Sequence, residues 1–334
     1  LALPEVPAAG ADITLETELL RLRLAPNGGV RQFLCKPTGK DYAPGPLPFP
    51  LLSVSRGGIS LPLHLLTREG DLLKAQFLDP EVKATLRVSA RKSHLAFEVV
   101  GVQPADVESL TIEFPVKRLK AVAGAFNATY DDEFGACLFG TTTNVVNQPV
   151  GRGTDVWGLG AACVRRHGIV GAKFALVAAP AARFKEAIRE AERANGLPSP
   201  TLEGKWARDS EPARRSYLFM VDAGEANIDK IIEYAKVGKF GMIIFLKNNW
   251  LANHGHYDVN RKAFPDGIES LKRVVKKIHD AGMGAGVHVF GPSISPDDPY
   301  VTPRPDDRLA FVPCPPLAEA VDEKATTLVV AGEP

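Results

Sequence analysis

Between residues 216 and 290 three short apolar runs alternate with two amphipathic stretches, and no other feature of the chain narrows its fold as far. Tyr217-Leu218-Phe219-Met220-Val221 ends at Asp222. Ile228, Ile231, Ile232 and Ala235 then fall on one face at helical spacing, up to Gly238. Met242-Ile243-Ile244-Phe245-Leu246 is the second run, leading into Lys247-Asn248-Asn249-Trp250. Asp266 with Glu269 three residues on predicts a capping box for a second helix, with its buried stripe at Ile268, Leu271, Val274, Val275 and Ile278. Gly286-Val287-His288-Val289-Phe290 is the third run. Apolar strands alternating with helices predict a parallel sheet buried on both faces, the first βαβαβ units of a TIM-type barrel. Three strands cannot close such a barrel, so the pattern predicts a truncated one with unpaired edges and an uncovered apolar face.

The rest of the chain obeys a different grammar. Leu20-Arg21-Leu22-Arg23-Leu24 and Ala84-Thr85-Leu86-Arg87-Val88 alternate with a period of two, which puts one face on a core and the other in water. Asn27-Gly28-Gly29, Pro37-Thr38-Gly39 and Arg56-Gly57-Gly58 supply turns, and Val164–Val170 reads as a hairpin over His167-Gly168. Many short strands without helices between them predict a β-sandwich over 1–178. Phe184, Ala187, Ile188 and Ala191 predict a helix, and the prolines at 198, 200 and 212 a linker, giving a helix-and-linker segment over 179–212. The partial barrel takes 213–300. In 301–334 a proline-rich stretch precedes Ala325–Val330, which reads as a strand opening an inserted or following β segment. The fold class expected is therefore multidomain β plus α/β.

Composition excludes several functions. Lys and Arg total 40 against 39 Asp and Glu, a net charge of +1, whereas a nucleic-acid binder needs a basic face to release counterions. No run of about 18 apolar residues exists, so no membrane partner is expected. The chain starts at Leu1 without a leader pattern, which is read as a processed, trimmed or fragmentary chain, secreted or periplasmic with its signal peptide removed. Cys35, Cys137, Cys163 and Cys314 are far apart and read as buried free thiols; no CxxC or Cys/His cluster calls for a metal, and no cofactor motif is present. Asn127-Ala128-Thr129 fits the glycosylation acceptor pattern, a triplet common by chance. Asp131-Asp132-Glu133 reads as a solvated loop, and Gly151–Gly160 lacks the strand before and helix after that a phosphate loop requires.

Active sites of β/α barrels lie at the carboxyl ends of their strands. That rule selects Asp222, then Asn248, Asn249 and Trp250 with the loop carrying His254, His256, Tyr257, Asp258 and Asn260, then His288. Aromatic rings, amides and imidazoles at one mouth suit a sugar, whose ring faces stack and whose hydroxyls hydrogen-bond. Each residue also has a structural reading. Asp222 can cap the helix after it, Trp250 can anchor the loop, and His288 can be a satisfied core histidine. His254 and His256 lack a third metal ligand, and His279 complements a helix C-terminus.

At Asn249-Trp250, Tyr257-Asp258-Val259-Asn260, Phe264-Pro265-Asp266-Gly267-Ile268 and Ile278-His279-Asp280-Ala281-Gly282-Met283 the sequence resembles the α-galactosidase-like glycoside hydrolase clan. The β-rich region before it resembles the mutarotase-like β-sandwich that precedes the barrel in several such families. The close match covers about a quarter of the chain, and Phe-Pro-Asp-Gly is its most specific part. Many clan members carry paired aspartates where this chain has Asn248 and Asn249, which bind a hydroxyl without charge. The clan places its nucleophile on the fourth strand and its acid/base on the sixth. The resemblance therefore implies the N-terminal part of a retaining glycoside hydrolase whose two carboxylates, about 5 Å apart, lie beyond this chain. Catalytic residues stay unassigned. Asp222, Asn248, Asn249, Trp250, His256, Tyr257 and His288 are expected to line the sugar subsite, with a carbohydrate as the only partner and the oligomeric state open. The alternatives are a non-catalytic carbohydrate-binding protein and a polysaccharide lyase using Tyr257 or a histidine as base.

Overall fold

A computed structural model describes residues 11–45, 51–309 and 315–331. Contacts within the chain divide it between Pro200 and Thr201 into two compact units.

The first unit is built from alternating strands. In Leu20–Leu24 the three leucines are buried while Arg21 and Arg23 turn outward. This strand lies between Ile13–Glu16 and Val30–Cys35 in a four-stranded antiparallel sheet completed by Lys40–Asp41. The other strands described in this unit, thirteen in all, form one long sheet. It bends at Ile59–Glu69, the longest strand. Residues 59–62 of that strand pair with Leu52–Arg56, and residues 63–69 pair with Leu72–Phe77, with an irregular register between Leu63 and Leu65. Such an irregularity kinks a strand and increases its twist. The two halves of the sheet thereby meet across a shared core, where Phe97 and Phe114 have ring centroids 5.4 Å apart.

One buried side chain ties those halves together. Asn127 is fully buried and sits at φ 48°, a left-handed conformation that asparagine tolerates. Its Nδ2 donates to the carbonyls of Leu138 and Gly160, both at 2.7 Å. Its Oδ1 accepts from the Gly160 N–H at 3.3 Å. Leu138 and Gly160 belong to strands in opposite halves of the bent sheet. The amide that matched a glycosylation acceptor is thus committed to the core.

The hairpin expected over Val164–Val170 does not form. Val156–Val164 pairs with Ser109–Lys117, whereas Lys173–Pro180 pairs with His94–Gln103 and Phe134–Gly140. A 3-10 turn at Arg165–His167 carries the chain from one half of the sheet to the other. Buried Ile169 and Ala172 join the core there, so long-range burial overrides the local turn signal. The segment 150–160 is a strand pair, Val150–Arg152 with Val156–Val164, as its lack of helical pattern implied. Helix Ala181–Ala194 buries Ala187 and Ala191 against Cys137, Val177 and Ala179. It therefore packs on the first unit's sheet. Cys35, Cys137 and Cys163 are buried free thiols. Burial raises the Cys163 thiol to about 11 and the Cys137 thiol further still. Cys314 lies outside the described residues.

In the second unit the proline-rich stretch is more ordered than a linker. Thr201–Leu202 and Lys205–Trp206 pair, and Trp206 is buried. Three parallel strands follow, Tyr217–Met220, Met242–Phe245 and Gly284–Val287, side by side in chain order. Helices Ile228–Val237 and Ile268–Asp280 join one cluster with Ile243 and Phe245. Each buried isoleucine in it contributes roughly 1.5–3 kcal/mol of gross hydrophobic stabilisation. Only one face of the sheet is covered, not both. Both helices return to the side of Leu218, Ile243 and Phe245, leaving Tyr217 56% and Phe219 44% exposed on the other. Ala325–Val330 forms no strand; Val330 makes a single bridge to Leu317.

Asn127→Ala removes three buried hydrogen bonds, leaving the Gly160 carbonyl with the Gln148 N–H. It is expected to destabilise the first unit by about 3 kcal/mol, read by urea denaturation. The wild-type chain expressed in a glycosylating host is expected to carry no glycan at Asn127 by mass spectrometry.

Candidate functional site at the strand ends

Two hydrogen bonds from the end of the central strand join all three strand ends. After Phe245 the chain makes one helical turn, Lys247–Trp250. This turn presents Asn249 toward the first strand, where its Nδ2 donates to the Ala223 carbonyl at 2.7 Å. It presents Trp250 toward the third, where Nε1 donates to the His288 carbonyl at 3.0 Å. The His288 N–H in turn donates to the Phe245 carbonyl at 2.9 Å. The third strand ends at Val287, so His288 sits just past the sheet rather than within it.

The seven residues selected from the sequence divide into buried and open groups. Asn249 is buried, and its Oδ1 lacks a hydrogen-bond partner among the described residues. Trp250 is half-buried against the core. His288 is half-buried, edge-on to Phe219 and Phe290, with its Nδ1 likewise unpartnered. Asp222 and Asn248 are exposed. Asp222 does not cap the next helix: Asn227 precedes it, donating from Nδ2 to the Asp222 carbonyl and accepting the Gly224 N–H. Tyr257, at φ 57°, donates from its hydroxyl to the Phe290 carbonyl at 3.2 Å. His256 is exposed, with its ring on Asp298.

The loop after the second strand is held to the chain beyond the third. His254 donates its N–H to Ser295 Oγ at 2.9 Å, and its ring stacks on Phe290 at 6.0 Å. Lys247 Nζ lies 4.3 Å from the centre of the same Phe290 ring, a cation–π contact. His254 and His256 thus face different partners, and among the described residues no three His, Cys, Asp or Glu side chains gather as a metal site. Asp298, Phe290, Phe219 and Ser295 touch these residues or their loop and are not picked out by the strand-end rule. Three lie beyond the third strand, and Asp298 meets His256 across 42 residues of sequence, a contact that no local pattern announces.

Asp298 is the fully buried carboxylate of the group. Burial opposes its charge, but the N–H groups of Tyr300 and His256 and the His256 ring hold it below the ordinary carboxylate range. Gly255 makes this approach feasible. It sits at φ 128°, and a Cβ there would lie 2.4 Å from Asp298 Cγ.

The Phe-Pro-Asp-Gly element is structural. Phe264 is fully buried, edge-on to Phe245 with centroids 6.0 Å apart. The Glu225 N–H donates to the Ala263 carbonyl, and a Cβ at Gly224 would lie 2.5 Å from that oxygen. The expected Asp266/Glu269 capping box is absent. Gly267 is the cap position, Glu269 pairs with Lys272, and the Asp266 carboxylate takes Arg273 at 2.6 Å. Arg273 also binds Glu225 through Nε and Nη2, clamping the first loop to the second helix. The Arg273 and Ser270 hydrogen bonds lower the Glu225 carboxyl to about 2.

No family model matches the chain, and no curated protein matches it. Solved structures do. An α-N-acetylgalactosaminidase from Bifidobacterium bifidum, in complex with GalNAc, aligns over 83% of this chain and 58% of its own at 14% identity, TM-score 0.50. An α-galactosidase from Lactobacillus brevis aligns over 89% of this chain and 57% of its own at 12% identity, TM-score 0.35. A xylosidase from Aspergillus niger covers 86% and 45% at 10% identity, TM-score 0.33. The chain spans less than two thirds of each. At such identities the likeness is one of fold: a β-rich, multidomain, glycoside hydrolase-like fold. No helix among the described residues is long and apolar enough to cross a membrane.

Trp250→Phe keeps an aromatic ring but deletes the bond to His288, and is expected to cost about 1 kcal/mol; Trp250→Ala is expected to cost about 3 kcal/mol. Both are read by urea denaturation. A carboxyl lowered on folding contributes stability above its ordinary value and loses it as pH falls through the folded value. The Glu225 clamp is therefore expected to weaken between pH 4.5 and about 2. Acid unfolding followed by circular dichroism should show this component in the wild type and lack it in Glu225→Gln.

Proposed function

We propose that this chain is the N-terminal part of a glycoside hydrolase, and that the carboxyl end of its parallel sheet binds a sugar of a glycan or oligosaccharide. The observation that carries the reading is the joining of three consecutive strand ends by Asn249 and Trp250. It gathers Asp222, Asn248, Tyr257, His256 and His288 at the end of the sheet where β/α barrels keep their sites. The likeness to the α-N-acetylgalactosaminidase supports the fold half of the reading.

In this proposal the three strands open a β/α barrel preceded by a mutarotase-like sandwich. The face bearing Tyr217, Phe219 and Ile244 is the barrel's inner side, which agrees with both helices lying on the other. The reaction is hydrolysis of an O-glycosidic bond with retention. It needs one carboxylate as nucleophile and one as acid/base, about 5 Å apart. Asp298 suits neither role, since its oxygens are already occupied by three donors. Asp222 is an exposed carboxylate suited to accepting a sugar hydroxyl. The nucleophile and the acid/base are proposed to lie outside residues 1–334, and the protein to act in a secreted or periplasmic setting.

The test is direct. The 334-residue chain, incubated with 4-nitrophenyl α- and β-glycosides, is expected to release no nitrophenol while binding a methyl glycoside by ligand-observed NMR. Asn248→Ala removes one hydrogen bond to a hydroxyl and is expected to weaken that binding about fivefold. Turnover by this chain would overturn the assignment of the carboxylates, and absence of glycoside binding would overturn the sugar site.

A further inference from the structure

Asp298 sits in the second unit, yet it takes no part in packing helices on the sheet. It is fully buried, and its acceptor capacity is spent on two loop segments, one after the second strand and one beyond the third. Oδ2 takes the His256 N–H at 2.9 Å, and Oδ1 takes the Tyr300 N–H at 2.9 Å. His256 Nδ1 lies 2.9 Å from Oδ1 and 3.1 Å from Oδ2. The side-chain-free Gly255 lets the carboxylate in, as described above. On its other side the His256 ring stacks on Tyr300, with centroids 4.3 Å apart and planes 20° apart.

These contacts determine where the imidazole proton sits. An ionised carboxylate only accepts hydrogen bonds, so the nitrogen facing it must donate. In a neutral imidazole that leaves the other nitrogen bare. The side chain is 40% exposed, and its Nε2 has no hydrogen-bond partner among the described residues. Loop closure alone would need only the two backbone N–H groups. The third bond and the stacked tyrosine fix the ring as well.

We propose that Asp298 is a positioning residue that locks His256 in the Nδ1–H tautomer, so that its bare Nε2 accepts a hydrogen bond from a hydroxyl of the bound sugar. The inference rests on the sugar site proposed above, and adds to it a residue beyond the third strand and a defined proton position.

The tautomer is read on the full 334-residue chain, labelled with ¹⁵N-histidine, from long-range ¹⁵N–¹H couplings at pH 8, above the ordinary imidazole value of about 6.5. The expected result is a protonated Nδ1 and a bare Nε2 at His256, lost in Asp298→Asn. Binding of the methyl glycosides of galactose, glucose, xylose and N-acetylgalactosamine is measured in parallel. His256→Ala and Asp298→Asn are each expected to weaken the tightest of these about tenfold. A His256 that carries its proton on Nε2, or a tautomer unchanged in Asp298→Asn, overturns the positioning role whatever the chain binds. So does glycoside binding that His256→Ala leaves intact. A locked tautomer in a chain that binds none of the glycosides overturns the sugar site, and with it the role of Nε2, while leaving the Asp298–His256 pair in place. Should Asp298→Asn fail to fold, the wild-type tautomer and His256→Ala still decide between these outcomes.

Discussion

The second unit depends on the helical turn that ends its central strand. A parallel strand makes no hairpin with its neighbour, so nothing local holds adjacent strand ends together. Here Asn249 reaches one neighbour and Trp250 the other, each through a side-chain N–H to a backbone carbonyl. A buried carbonyl left without a donor is costly. The two bonds therefore satisfy the sheet's end and set the spacing of its mouth together. The same two residues were candidates for touching a sugar directly. In the structure their side-chain N–H groups bind the Ala223 and His288 carbonyls, while Asp222 and Asn248 at the same strand ends are exposed.

A similar economy operates in the first unit. The long sheet has to fold over itself to bury both halves of its apolar surface, and the irregular register at Leu63–Leu65 supplies the bend. Asn127 then joins Leu138 on one half to Gly160 on the other from within the core. A polar side chain is tolerated there because its donors and its acceptor are all used. The residue's left-handed φ and its amide are both needed, and few other side chains offer the two together.

What was legible at the site follows from range. Strand ends could be read because a run of apolar residues stops where the chain turns, as at Asp222 and Lys247. Which side chains would be consumed by structure could not, since that depends on the neighbour each one meets. Asp298 and His256 meet across a loop, and Asp266 abandons a capping box for an arginine that also binds Glu225. The Phe-Pro-Asp-Gly element behaves likewise. Its sequence suggested kinship, while its buried phenylalanine and clamped aspartate show an architectural duty.

Residue order fixes the alternation of strands and helices, the change of grammar near residue 200, and the residue types at the strand ends. These depend on periodicity and on local turn chemistry, which are properties of neighbouring residues. Tertiary structure alone decided that the segment at 164–170 crosses between the halves of a sheet instead of forming a hairpin. It alone decided which face of the three parallel strands is covered, because that depends on the side to which each helix returns. It also decided that the strand ends are joined through Asn249 and Trp250. Each of these is a choice of partner made across tens of residues, settled by where burial and hydrogen bonding can be satisfied at once.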